Sequence, residues 1–151
     1  MMEPMKKHLA AVVRVALGAV FLYAGVIKIA NPAAFAGSIA NYQVLPYAGN
    51  YLTAAILPWV ELICGALLVT GWRARSAAAM VALMNVVFIV LLLSTVARGL
   101  DIDCGCFRQG GEKTSAWTAI FRDVLLLAAA VYVFRREGAR QRQAYLPPAW
   151  K

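Results

Sequence analysis

Residues 51–70 read YLTAAILPWVELICGALLVT, a stretch in which Glu61 is the only side chain with a formal charge. A helix needs about 20 residues to cross the roughly 30 Å hydrocarbon core of a bilayer. This stretch has that length and is apolar almost throughout, so it predicts a transmembrane helix. The class of the protein therefore depends on how many similar segments flank it.

Three further segments meet the same criterion, at residues 9–30, 76–97 and 116–134. The chain is 62% hydrophobic with a mean hydropathy of +0.69, whereas soluble domains are about half apolar. We predict an all-α integral membrane four-helix bundle in a single domain of 151 residues. The first segment is expected to be a retained helix, because it is longer than the apolar region of a signal peptide and contains Arg14.

Residues 31–50 connect the first two predicted spans and contain prolines and glycines that interrupt a helix. Within them Phe35, Ile39, Tyr42 and Leu45 recur at helical spacing. This pattern predicts a short amphipathic helix that lies at the membrane interface between helices 1 and 2.

Basic residues gather on one side of the predicted bundle. They are Lys6, Lys7, Arg73, Arg75, Arg135, Arg136, Arg140, Arg142 and Lys151. By the positive-inside rule both termini and the basic tail 135–151 should be cytoplasmic, and the loop 98–115 should face outward, toward the periplasm in a Gram-negative cell. We predict a multi-pass protein of the bacterial inner membrane, in contact with the lipid bilayer. The net charge of +8 reflects membrane-flanking residues, so nucleic-acid binding is not expected.

The loop 98–115 contains the sequence LDIDCGCF at residues 100–107, in which Cys104 and Cys106 are one residue apart. Thiols outside the cytoplasm meet oxidising conditions. A disulfide between residues i and i+2 closes a very small ring, and strained, exposed disulfides are readily attacked. Gly105 reduces the strain through its wider range of backbone angles. The motif therefore predicts a redox-active pair that cycles between dithiol and disulfide.

Two other interpretations of the loop stay open. Two thiolates can bind a soft ion such as Cu(I) or Hg(II), which would make Cys104 and Cys106 the capture site of a metal-binding or transport protein. Alternatively, the loop cysteines are incidental and the protein is a structural assembly subunit. Zinc is less expected than a soft ion, because it requires four ligands and the one histidine of the chain, His8, lies on the opposite side. The third cysteine, Cys64, lies within the second span and is expected to be a packing residue, with a third relay thiol as the alternative.

Ionisable side chains inside membrane spans are costly and usually face the bundle interior. Depth along the helices predicts that Glu61 pairs with Arg14 or with Arg122, either to hold the helices together or to serve a site. Arg122 and Asp123 lie close beneath the cysteine loop, so we predict them as catalytic support that relays the protons of thiol oxidation. Candidate cofactor-binding residues are Glu61, Arg14 and Asn85. Asn85 could hydrogen-bond a quinone carbonyl, although an interhelical hydrogen bond is its usual role.

Three groups of residues resemble a known family. The first is RVALG at residues 14–18 with Phe21, YAG at residues 23–25 and Lys28; the second is PWVEL at residues 58–62 with Gly65; the third is DCGCF at residues 103–107 with Arg122 and Asp123. The first two resemble helices 1 and 2 of DoxX-like membrane proteins, and the third is similar to the MauE, or methylamine-utilisation, branch. The resemblance covers about residues 9–134, with Arg108 where glycine is frequent and Asp123 where asparagine is common.

This resemblance implies a thiol–disulfide oxidoreductase that acts outside the cytoplasm with a thioredoxin-like partner. The bundle also resembles that of vitamin K epoxide reductase and of the quinone-linked disulfide oxidases, which implies a membrane quinone as cofactor. The chain lacks their second cysteine pair, so the partner is expected to dock directly on Cys104 and Cys106. The direction of electron flow and the oligomeric state are left open.

Overall fold

The structure is a computed structural model that describes residues 2–99 and 116–145, with the side chains of residues 8–99 and 117–142. These residues form five helices: α1 (Met2–Ala30), α2 (Pro32–Ala40), α3 (Tyr47–Thr70), α4 (Ala74–Ala97) and α5 (Ala116–Tyr145). The two described ranges contain no β-strand. The predicted all-α architecture is confirmed.

Four of the helices are long and apolar enough to cross a membrane. The candidate spans are His8–Ala30, Tyr47–Thr70, Ala74–Ala97 and Trp117–Arg142, and each matches one predicted span. Every span also exposes large apolar side chains on its outer surface, among them Val26, Trp59, Leu83 and Phe121. Such surfaces are stable against lipid and unfavourable in water. The chain is therefore a multi-pass membrane protein.

The closest helix pair is α1 against α3, which run antiparallel. A Cβ atom added at Gly65 would lie 2.8 Å from the carbonyl oxygen of Gly18, and one added at Gly25 would lie 2.9 Å from the carbonyl oxygen of Pro58. Small residues allow backbones to approach this closely in membranes. These glycine contacts set how far the two helices are offset along their common axis.

Fully buried apolar side chains from all four spans meet in one core, represented by Leu17, Leu68, Val81 and Val133. Cys64 packs in the same cluster with 6% of its surface exposed. The prediction that Cys64 is a packing residue agrees with this position.

The predicted short helix between the first two spans is α2. It begins after Asn31, whose side chain accepts a hydrogen bond from a backbone N–H in the first turn, 3.1 Å away. Phe35 is buried where α2 packs on α3. The helix ends at Ala40, so Tyr42 and Leu45 lie beyond it, although the sequence spacing had suggested that they continue the same face.

The bundle has two distinct ends. The basic end contains the turn between α3 and α4, the start of α1 and the last turns of α5, which continues as helix to Tyr145, beyond the predicted end of the span at residue 134. At the loop end α4 finishes and α5 begins. Cys104 and Cys106, on the connection between them, lie outside the described residues. Their redox role and the orientation of the bundle therefore stay predictions.

Candidate functional site: a buried polar cluster between the spans

Lys28 and Glu61 form an ion pair inside the bundle. The Nζ atom of Lys28 lies 2.5 Å from Oε1 of Glu61, and each residue has 2% of its surface exposed. The ammonium group also lies over two aromatic rings, 4.9 Å from the centroid of Phe35 and 5.7 Å from that of Phe88. Two charges buried this deeply are tolerated only when they neutralise each other. The pair therefore anchors α1 to α3.

Lys28 lies near the end of the first apolar run and was not among the site residues predicted from the sequence. Side chains on a helix point toward its N-terminus. Because α1 and α3 are antiparallel, Lys28 extends inward from near the end of α1, and Glu61 extends toward the loop end from deeper on α3. The two heads meet although their Cα atoms lie at different depths. The pairing of Lys28 with Glu61 is predictable from two facts: helical side chains point toward the N-terminus, and successive spans run antiparallel.

Arg122 and Asp123 interact with each other on α5. The Nε and Nη2 atoms of Arg122 donate to Oδ1 of Asp123 at 3.0 and 2.9 Å. Asp123 is 5% exposed, so this carboxylate also lies inside the bundle. Asp123 thus faces the bundle interior, as expected for an ionisable group in a span, whereas the side chain of Arg122 is 30% exposed.

Asn85 is the polar residue that α4 contributes, with 3% of its surface exposed. Its Nδ2 atom donates to the carbonyl oxygen of Val81 in the same helix, at 2.9 Å. This bond lies within α4 and replaces the interhelical hydrogen bond that the sequence suggested as an alternative.

These polar residues line one small cavity, which we call the polar cavity. It has a volume of about 30 Å³, and its polar lining consists of Lys28, Glu61, Asn85, Arg122 and Asp123. Among the described residues, the buried Oε2 atom of Glu61 has no hydrogen-bond partner. A cavity of this size can hold one or two water molecules, which could bond to Oε2, but not a quinone ring. The polar cavity is therefore suited to holding water and to proton transfer.

The ion pairs predicted for Glu61 are wrong, because Lys28 takes that position. Arg14 lies at the basic end, where its Nε atom is 3.9 Å from Oε1 of Glu137 and its guanidinium packs against Gly71. The offset between α1 and α3 places Arg14 about 12 Å along the axis from Glu61. Arg14 is thus separated from the other residues predicted to bind a cofactor.

We expect the Glu137→Gln substitution to lower the free energy of unfolding by less than about 1 kcal/mol, because the ion pair with Arg14 is long and partly exposed. Denaturant unfolding of the purified protein in detergent measures this change. A loss above about 2 kcal/mol would show that this pair is coupled to the core.

A second, larger cavity lies between α3, α4 and the segment after α2, and we call it the apolar cavity. Its volume is about 440 Å³, and its lining is apolar apart from Tyr42 and Thr53. This volume lies in the range of ligand sites in proteins. Phe88 borders both cavities and separates them.

Tyr42 lines the apolar cavity and lies at the loop end of the bundle. Its buried ring packs with Leu92 of α4 and Ala119 of α5. Its carbonyl oxygen accepts a hydrogen bond from Nη2 of Arg98, 2.5 Å away, just after α4 ends. The cavity therefore extends to the helix ends that carry the cysteine loop.

Residues 6–135 match the sequence model of the family described as Methylamine utilisation protein MauE. The chain belongs to the MauE family. The MauE range includes every residue of the polar cavity and both loop cysteines. The resemblance to the MauE branch is thus confirmed, and the link to DoxX-like proteins stays a prediction.

Curated relatives agree with the MauE assignment. The chain is 34% identical over 121 residues to "Methylamine utilization protein MauE" of Paracoccus denitrificans, an alignment that covers 80% of this chain and 65% of the relative. The proteins of the same name from Methylophilus methylotrophus and Methylorubrum extorquens are 35% and 33% identical, over 73% and 71% of this chain and 59% and 58% of theirs. The chain thus spans about 58–65% of the length of these MauE relatives. No solved structure matches it significantly.

Proposed function

We propose that the chain is a membrane thiol–disulfide oxidoreductase that serves methylamine utilisation, the process named in its MauE relatives. Cys104 and Cys106 form the redox pair, on a loop that faces away from the cytoplasm, and a thioredoxin-like protein is the partner. A membrane quinone is the second redox partner. The protein lies in the bacterial inner membrane with both termini in the cytoplasm.

The observation that carries this proposal is the buried polar cavity near the end of the bundle where α4 ends and α5 begins. Asp123 lies about 10 Å along the helix axis from Ala116, where α5 emerges from the loop. Oxidation of two thiols to a disulfide releases two protons, and reduction consumes two. A carboxylate and water-sized space at this depth, in an otherwise apolar bundle, could accept and return those protons. Asp123 and Glu61 are the groups that we assign to this transfer, with Arg122 and Lys28 as their counter-ions.

The exchange with the partner conserves electrons and atoms. A thiolate of the loop pair attacks the disulfide of the partner and displaces one of its sulfurs, which forms a mixed disulfide. The second loop thiolate then attacks the loop sulfur of that bond, so the partner leaves as a dithiol and Cys104 and Cys106 remain as a disulfide. The reverse sequence oxidises the partner, and the reduction potentials of the two pairs set the direction.

The apolar cavity fits a quinone better than the polar cavity does. A quinone supplies an acceptor for two electrons and two protons, and a quinol supplies the donor. The apolar walls would hold the ring and the start of the tail, and Thr53 and Tyr42 are the polar side chains within the lining that could bond to a carbonyl. Asn85 lines the polar cavity and not the apolar one. We therefore assign it to the support of proton transfer by Asp123 and Glu61, in place of its predicted role in quinone binding.

A test uses the Cys64→Ala variant, which retains the loop pair as its only thiols. Incubation with the soluble quinone ubiquinone-1 should consume two free thiols per chain and form one quinol. Adding Cys104→Ser or Cys106→Ser should abolish this reaction. At least one of these serine variants should instead trap a single-cysteine thioredoxin whose thiol carries thionitrobenzoate: the remaining loop thiolate displaces the thionitrobenzoate thiolate and forms a mixed disulfide, visible on a non-reducing gel.

The controls separate the parts of the proposal. The Cys64→Ala variant itself should react like the unmodified chain, since Cys64 is buried in the core. Loss of trapping in both serine variants would refute the exchange with a partner, and retention of both thiols with ubiquinone-1 would refute the quinone. If the loop pair instead bound Cu(I) stoichiometrically and exchanged with no disulfide, the soft-metal function would replace the redox function. If a Cys104→Ser/Cys106→Ser protein kept full activity in cells, the loop cysteines would be incidental and the protein would be a structural assembly subunit.

A further inference from the structure

A groove runs between α4 and α5 at the basic end of the bundle; it shares no lining residue with the polar cavity and borders the apolar cavity at Leu83. Its volume is about 510 Å³. Ala79, Met80, Leu83 and Phe134 form its apolar floor. The rim is polar and contains Arg75, Ser76 and Gln141. From Arg75 to Leu83 the lining therefore changes from cationic to apolar over about 12 Å of helix.

Arg75 is held at the rim of the groove by an aromatic ring. Its guanidinium lies over the ring of Phe134, with Cζ 4.9 Å from the ring centroid. Gly138 leaves the space for this position, because a Cβ there would lie 3.3 Å from Cζ and Nε of Arg75. In the part of the chain that the structure describes, no carboxylate lies within ion-pair distance of Arg75. Its N–H donors are therefore left for a ligand.

The sequence segments at the basic end of the bundle contain more basic than acidic residues. The basic residues at this end are Lys6, Lys7, Arg14, Arg73, Arg75, Arg135, Arg136, Arg140 and Arg142, and the acidic ones are Glu3 and Glu137. Glu137 forms an ion pair with Arg14. A ligand that fits both the potential and the shape of the groove must combine an anionic head with an apolar tail.

We propose that this groove is a binding site for an anionic phospholipid. The phosphate lies at Arg75, Ser76 and Gln141, and an acyl chain follows Ala79, Met80 and Leu83 toward the middle of the bundle. Guanidinium groups bind phosphate through two parallel hydrogen bonds, and basic pockets between transmembrane helices bind anionic lipid heads. The site is independent of the cysteine loop and of the redox function.

The test measures lipid binding to the intact, detergent-solubilised chain by native mass spectrometry. Dioleoyl phosphatidylglycerol should bind more tightly than dioleoyl phosphatidylcholine, which has the same chains and no net charge. The Arg75→Gln variant should lose about fivefold in affinity for phosphatidylglycerol. The matched control is Arg140→Gln, which removes an exposed charge from α5 outside the groove and should change the affinity by less than about twofold.

A second variant tests the apolar floor. Ala79 is exposed, so Ala79→Trp should fill the groove without disturbing the core, and it should reduce the binding of phosphatidylglycerol while leaving the melting temperature of the lipid-free protein unchanged. Inorganic phosphate at the same concentration should not compete. Equal binding of the two lipids, equal effects of the two arginine variants, unchanged binding by Ala79→Trp, or competition by inorganic phosphate would each overturn the proposal.

Discussion

The Lys28→Met substitution is expected to lower the free energy of unfolding by about 3–5 kcal/mol, because it leaves the carboxylate of Glu61 buried without its partner. Methionine retains most of the volume of the lysine side chain, so the loss of packing is small. Glu61 is 2% exposed, and the one or two water molecules for which the polar cavity has room do not replace full hydration of an unpaired charge. Chemical or thermal unfolding in one fixed detergent measures the change.

The control is the double variant Lys28→Met/Glu61→Leu. Replacing both members of a buried ion pair with apolar residues is often neutral or stabilising, so this protein should regain most of the stability. The double-mutant cycle gives the coupling between the two side chains. If the double variant were as unstable as the sum of the single ones, the two residues would not act as a pair.

The same double variant separates the two roles open to Glu61. A protein that is stable and still exchanges its loop thiols with ubiquinone-1 at the original rate would show that the pair only holds α1 and α3 together. A stable protein with slowed exchange supports the proposed role of Glu61 in proton transfer. An Asp123→Asn variant then shows whether the remaining transfer depends on Asp123.

The second large effect is expected for Gly65→Ala, which should destabilise the bundle by about 1–3 kcal/mol. The new Cβ would lie 2.8 Å from the carbonyl oxygen of Gly18 and 2.9 Å from the backbone nitrogen of Leu22. Both contacts are with backbone, so α1 and α3 must separate, and overpacking of this kind has about that cost. The preference of a helix for alanine over glycine, about 1 kcal/mol, offsets part of this cost, so the net loss should fall at the lower end of that range.

Gly37→Ala is the matched control, since it makes the same chemical change in α2. A Cβ at Gly37 would meet no atom within 4 Å. This variant should be neutral or slightly more stable, so the two substitutions should shift the unfolding free energy in opposite directions. Equal shifts would mean that the contact between α1 and α3 does not limit stability.

The composition of the site was largely predictable from sequence. Glu61, Asn85, Arg122 and Asp123 were selected because polar groups in apolar spans must avoid lipid, and all four line the polar cavity. Lys28 was missed because it lies near the end of an apolar run, where a lysine usually reaches toward the membrane surface. Here Phe35 of α2 covers Lys28, so its side chain does not reach the membrane surface.

The local amino-acid sequence determined the number of spans, their approximate limits and the presence of a short helix between the first two. These properties depend on length, apolar content and breakers within about 20 neighbouring residues. Only the tertiary structure decided that Glu61 pairs with Lys28 and that Arg14 pairs with Glu137. Those partners depend on the offset between antiparallel helices, which is set where Gly18 meets Gly65. Such a contact joins residues far apart in the chain, and no local pattern specifies it.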